Sequence, residues 1–212
     1  IRRILGEEKI ILIGHSYGAF LASIYSAEFP DNIEALILVA PAPIFKMPLD
    51  IPDMYESVRN DLPEDELENY DEFLNRYFDY KNIFKKSEEE LVSLNNEFMK
   101  YFLMAHQKYD VAQPKESNTG GWMVHAMYLS SGREYDYTQE IAKVKVPTLI
   151  IHPGSDFIQN ESARKMYLDI FPHAKYVVME DAGHMAFYDK PDTFAKIVDD
   201  FLEENNLSNN DI

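Results

Sequence analysis

The sequence contains no cysteine, which excludes disulfides, thiol catalysis and thiolate metal sites together. Positive charge is scarce: 20 Lys and Arg stand against 37 Asp and Glu, a formal net charge of −17. Such a surplus argues against nucleic acid or an anionic membrane as a direct partner, because both would be repelled. Long apolar runs are missing as well. Those present, such as Ile10-Ile11-Leu12-Ile13, are of strand length, far short of the ~20 residues that cross a bilayer. Glycine occurs only 8 times, and the chain shows no phosphate-cradling glycine loop, no metal-ligand cluster and no internal repeat. The remainder is a globular composition, 46% apolar and 13% aromatic over 212 residues, fitting one domain or one domain with an insertion. The opening Ile1-Arg2-Arg3 is not a secretory signal, and a cysteine-free chain suits the cytoplasm or an exported bacterial protein. A cytoplasmic location is the expectation.

Three segments differ in texture. Residues 1–42 hold two nearly continuous apolar runs, Lys9 to Gly14 and Ile33 to Ala40, as expected of strands buried on both faces of a parallel sheet. Between them Ala19 to Ala27 has helical spacing and stops before Pro30. Strand, helix, strand at this spacing predicts a right-handed βαβ unit. Residues 138–212 repeat the grammar: strand Val146–Ile151, helix Glu161–Phe171 ended by Pro172, strand Tyr176–Met179, and a helix from Pro191 through Leu202. A polar tail with Asn205, Asn206, Asn209 and Asn210 follows. In residues 43–137 strand runs vanish and aromatics recur at helical intervals, Phe73, Tyr77 and Tyr80, then Phe98, Tyr101 and Phe102. That segment reads as a helical insertion in an α/β domain, its aromatic stripes serving as core.

Gly14-His15-Ser16-Tyr17-Gly18 has the G-x-S-x-G spacing, with a buried strand running into it and a helix starting at or just after Tyr17. This is the strand–turn–helix setting of a nucleophile elbow. The turn is expected to be too tight for bulky residues at 14 and 18, and it lifts the Ser16 hydroxyl out of the sheet. Amide N–H groups of the first helical turn then lie where negative charge develops.

A serine hydroxyl needs a base to take its proton. Of the six histidines, His15 sits inside the turn and reads as packing. His106 and His125 fall in the insertion, His152 ends a strand, and His173 beside Pro172 reads as a surface turn. His184 follows the last strand on its carboxyl end, the edge of a parallel sheet where ligands bind and where Ser16 also emerges. It is the candidate base. Asp156 follows the preceding strand on the same rim and is the candidate carboxylate that orients it. Asp181 competes, but a carboxylate three residues from the histidine more often makes a local turn bond.

Ser16, Asp156 and His184, in that chain order and in these contexts, resemble the α/β-hydrolase superfamily. The helical insertion after the second strand looks like its cap. Gly120-Gly121-Trp122-Met123, then Tyr137 and Val146-Pro147-Thr148-Leu149-Ile150-Ile151-His152, are similar to proline iminopeptidases and related cap-bearing hydrolases. The resemblance divides the chain into core 1–42, cap 43–137 and core 138–212. It implies an eight-stranded sheet with the nucleophile after the fifth strand, so that this chain supplies strands five to eight. The first four strands, and the His-Gly-rich loop carrying the second oxyanion-hole donor, have no counterpart before Ser16. Tyr17 N–H supplies one donor, and loss of one donor costs about 10²–10³ in rate. Ile10 to Ile13 would then form an exposed apolar edge. The chain is accordingly expected to be the carboxyl-terminal portion of a longer protein, with its amino-terminal portion as a partner.

The implied reaction is acyl transfer on a small-molecule or short-peptide substrate, with no cofactor and no metal. Ser16 attacks an amide or ester carbonyl, His184 takes the proton, Asp156 orients it, and water then clears the acyl-serine. Trp122 is the candidate substrate contact. An aminopeptidase would need carboxylates to hold the substrate ammonium. Glu64, Asp65, Glu66, Glu68, Asp71 and Glu72 form a run that usually means a solvated helix face, while Glu116, Glu134 and Asp136 are equally open. A proline iminopeptidase-like aminopeptidase is the leading expectation. A carboxylesterase with an apolar acyl pocket is its rival, and a non-catalytic hydrolase-fold fragment is the third reading.

Overall fold

The computed structural model describes residues 1–106, 121–132, 134–156 and 161–207. In chain order these form α1 (Arg2–Leu5), β1 (Ile10–His15), α2 (Tyr17–Glu28), β2 (Ile33–Val39), β3 (Lys46–Met47), α3 (Met54–Asp61), α4 (Leu67–Tyr77), α5 (Glu88–His106), α6 (Gly121–Ser131), β4 (Tyr135–Asp136), α7 (Thr138–Ile141), β5 (Thr148–Pro153), α8 (Glu161–Ile170), β6 (Lys175–Met179), α9 (Ala186–Asp189) and α10 (Pro191–Glu204). They fall into two compact units, Ile1–Ile51 with Tyr135–Ile212, and Pro52–Glu134. Glu116, Gly120, Asn209 and Asn210 lie outside the described residues.

The first unit is an α/β layer structure around a four-stranded sheet of order β1-β2-β5-β6, every neighbouring pair parallel. The period-two geometry of a strand sends alternate side chains of β2 to opposite faces. Leu36 and Leu38 join Phe20 of α2, Ile150 of β5 and Tyr167 of α8 in one cluster. Ala35, Ile37 and Val39 join Leu149, Ile151 and Phe201 of α10 in the other. Burying a side chain of this size contributes roughly 2–3 kcal/mol, which is why both central strands are apolar almost throughout. β1 is an edge of the sheet, and its Ile13 is 53% exposed.

Two details depart from the sequence pattern. The strand expected from Val146 begins at Thr148, because Pro147 has no N–H to give the ladder. The Pro147 carbonyl still accepts from Leu36 N–H at 2.9 Å. Residues 43–137 are also not wholly helical: Lys46 pairs with Asp136 and Met47 with Tyr135 in a two-residue antiparallel ribbon, too short to give an apolar run.

The second unit is helical. Asp53 and Glu56 form a capping box on α3, and Ser87 and Glu90 exchange the equivalent pair of bonds at the start of α5, 2.7 and 3.2 Å. Glu88 then accepts from the first two N–H groups of α6, Gly121 at 2.8 Å and Trp122 at 3.2 Å. The core is aromatic: Tyr70, Phe73, Tyr77, Phe98 and Phe102 are buried. His125 is buried beside Tyr77, ring centroids 5.0 Å apart, and neither ring nitrogen has a hydrogen-bond partner among the described residues. Burial first, and the nearby Lys86 charge second, push its imidazole below 6.5. The unfolded chain binds a proton that the fold refuses, so stability falls as pH drops through the ordinary imidazole value. His125→Phe removes that loss together with two buried nitrogens that lack a partner among the described residues, and should raise stability by about 1 kcal/mol or more. It should also narrow the gap between urea midpoints measured at about pH 7.5 and 5; an unchanged or wider gap would contradict this assignment.

Candidate active site

β1 delivers the chain into a turn that glycine alone can make at its entry. A Cβ on Gly14 would lie 2.4 Å from the Gly18 carbonyl oxygen and 2.6 Å from Ala19 Cα, both backbone. The expected crowding at Gly18 is absent: a Cβ there meets nothing within 4 Å, because that position faces outward from the first turn of α2. Ser16 takes φ 53° with ψ −120°, a positive-φ conformation costing a non-glycine residue roughly 1–3 kcal/mol. The turn is over-determined around it. Ser16 N–H donates to Val39 C=O at 2.9 Å, and its own carbonyl accepts from Ala19 N–H at 3.0 Å and Ala42 N–H at 3.1 Å. Tyr17 is the first residue of α2.

The carboxyl ends of β5 and β6 are laced together. Gly154 N–H donates to Met179 C=O and Ser155 N–H to Ala182 C=O, both at 2.9 Å, while Gly183 N–H donates to the Asp189 carboxylate at 2.8 Å. On this frame His184 and Asp156 meet. His184 Nδ1 donates to Asp156 Oδ2 at 2.6 Å, and Nε2 stands 3.0 Å from Ser16 Oγ. The Asp156 side chain is fully buried and that of His184 is 14% exposed. Burial alone pulls the His184 imidazole down. The Asp156 charge and hydrogen bond outweigh it, so the imidazole is held above 6.5. With Nδ1–H committed to the carboxylate, neutral His184 presents the Nε2 lone pair to the Ser16 hydroxyl.

The sequence profile of the alpha/beta hydrolase fold family matches residues 1–191. The chain belongs to that family. Among curated relatives of this alpha/beta hydrolase, a proline iminopeptidase of Saccharolobus solfataricus is 21% identical over 211 residues, 96% of this chain and 65% of the relative. A proline iminopeptidase of Lactobacillus acidophilus is 25% identical, covering 97% and 69%, and a pimeloyl-[acyl-carrier protein] methyl ester esterase of Yersinia enterocolitica is 24% identical, covering 94% and 71%. The chain thus spans about two thirds of the length of these relatives. Of solved structures, an alpha/beta fold family hydrolase from Bacillus anthracis superposes with TM-score 0.61 at 19% identity, over 95% of this chain and 70% of that one.

The other residues singled out in the sequence lie elsewhere. Asp181 is exposed and takes φ 57° in the β6 loop. His152 is buried against Tyr176, with Nδ1 unpartnered among the described residues, and His173 Nε2 lies 3.3 Å from the Val146 carbonyl. His106 ends α5. In the helical unit Trp122 stacks on Phe84 at 5.6 Å, and Asp71 is engaged by Arg59 in two bonds of 2.7 and 2.8 Å. Asp136 accepts from Thr138 N–H and Oγ1–H, and Glu64, Asp65, Glu68 and Glu72 are exposed. No group of three or more acidic or histidine side chains that could hold a metal ion occurs among the described residues, and no described helix is long and apolar enough to cross a membrane. Asp189, which pins the loop before His184, escaped the sequence reading, and His15, read there as packing, contacts His184 itself. Only adjacency to Ser16 could have flagged His15.

The turn gives a direct test. Gly14→Ala should cost about 2–3 kcal/mol by forcing backbone apart, whereas Gly18→Ala should be neutral or stabilise by up to about 1 kcal/mol. Urea unfolding of the two variants checks the contrast, and equal effects would contradict the described turn.

Proposed function

We propose that this alpha/beta hydrolase cleaves an amide or ester through an acyl-serine, and that its substrates are short peptides with an amino-terminal proline. The observation carrying the hydrolytic reading is the continuous line of hydrogen bonds from Asp156 through His184 to Ser16. Ser16 Oγ attacks the carbonyl carbon while its proton passes to His184 Nε2, and Asp156 stabilises the imidazolium so formed. The carbonyl oxygen becomes an oxyanion, held by the Tyr17 N–H at the start of α2. Collapse breaks the scissile C–N or C–O bond, and His184 returns its proton to the departing amine or alcohol. Water, deprotonated by the same His184, then attacks the acyl-serine and releases the acid.

The peptidase reading rests on resemblance to relatives named proline iminopeptidase, and the chain's charge of −17 favours approach of a substrate ammonium. Relatives named methyl ester esterase support a carboxylesterase as the second reading. Trp122 is proposed to contact the substrate, so Trp122→Ala should raise KM with little change in kcat.

Turnover of a proline arylamide, set against short acyl esters, separates the two readings: preference for the arylamide supports the peptidase and the reverse supports the esterase. Ser16→Ala should lower kcat by about 10⁴-fold or more on whichever is cleaved, and near-normal turnover would overturn the mechanism. His184 must be neutral to accept the proton. Because Asp156 raises it, kcat/KM should fall on the acid side with a midpoint above 6.5. A midpoint below that value would contradict the rise that Asp156 imposes on His184.

A further inference from the structure

His15 is the last residue of β1, and it makes two contacts that packing alone does not need. Its Nε2 stands 2.8 Å from the main-chain carbonyl oxygen of His184. A carbonyl only accepts, so Nε2 carries the proton and the tautomer of His15 is fixed. Its ring lies 4.8 Å from the His184 ring, tilted by 56°, and meets the Phe187 ring edge-on at 5.1 Å. The titratable groups that face it are His184 and Asp156. Burial first, and His184 next, bring its pKa down to about 4, so His15 stays uncharged over the range in which His184 titrates.

His184 stands on the loop between β6 and α9, and its imidazole must meet Asp156 and Ser16 at once. Bonds at Ala182 and Gly183 hold the loop ahead of His184. The bond from His15 reaches the main chain of His184 itself, and does so from the residue adjoining Ser16. The same strand end thereby places the hydroxyl through the peptide chain and the imidazole through a hydrogen bond. An uncharged donor is required: a cation at this distance would oppose the positive charge that His184 gains when Ser16 attacks.

We propose that His15 is a positioning residue, a neutral N–H donor that clamps the His184 main chain to the strand end carrying Ser16 and sets the Ser16–His184 proton-transfer distance. This rests on the reading of Ser16 and His184 as nucleophile and base. His15→Phe keeps an aromatic ring and removes the donor; it should lower kcat by about 10- to 100-fold while changing KM less than about twofold. His15→Gln puts an amide N–H at similar reach and should recover most of that loss. A His15→Phe kcat within about twofold of the parent, or a His15→Gln no better than His15→Phe, would overturn the proposal.

Long-range ¹H–¹⁵N imidazole spectra of the unaltered protein give a readout that needs neither turnover nor a folded variant. His15 should remain the neutral Nε2–H tautomer between about pH 5 and 8, while His184 titrates above 6.5. A His15 that carries its proton on Nδ1, or that titrates near 6.5, overturns the proposal whatever the protein hydrolyses. Failure of Ser16→Ala to abolish turnover overturns the nucleophile assignment instead, with the His15 tautomer still read independently.

Discussion

One imidazole has to satisfy two partners that the chain delivers from different strands, and the organisation of the first unit follows from that demand. His184 reaches Asp156 at 2.6 Å with one nitrogen and Ser16 at 3.0 Å with the other. The two nitrogens of the ring leave almost no slack between these contacts. An error of an ångström in either loop would break one bond, and proton transfer is sensitive to displacements of that size.

The sheet makes the demand harder than chain order suggests. Ser16 follows β1 and His184 follows β6, the two opposite edges. Three strand spacings amount to about 14 Å, so the loops after β5 and β6 must lean back across the carboxyl end of the sheet. Their mutual bonds, Gly154 to Met179 and Ser155 to Ala182, brace that reach. Gly154 allows it: a Cβ there would lie 2.8 Å from the Glu180 carboxylate and 3.3 Å from backbone on β6 and its loop. On the far side, the strained φ of Ser16 aims its hydroxyl toward the same point, with Gly14 permitting the tight approach of α2. Local strain and long loops are two halves of one construction.

Much of this is legible in the sequence, for a physical reason. A parallel strand buried on both faces is apolar almost throughout, so β1, β2 and β5 announce themselves, and residues directly after them must lie on the rim. Ser16 and Asp156 are legible from that placement together with the G-x-S-x-G spacing, and His184 from its place after the last strand. What is not legible depends on contacts distant in sequence. The bond from His15 to His184 spans 169 residues and leaves no local pattern. Glu88 capping α6 across 33 residues is equally silent. Gly18 shows the opposite failure: a motif position read as steric need proves open, since spacing cannot tell which way a helix turn faces. The two-residue strands β3 and β4 are simply too short to make a pattern.

The proposed chemistry requires Ser16 to be activated by its two partners, and chemical trapping tests that most directly. Treatment with a fluorophosphonate, followed by peptide mass spectrometry, should place a single adduct on the peptide carrying Ser16. Labelling should slow sharply in His184→Ala and less severely in Asp156→Asn. An adduct on a different serine, or an unmodified Ser16 in protein that turns over substrate, would contradict it.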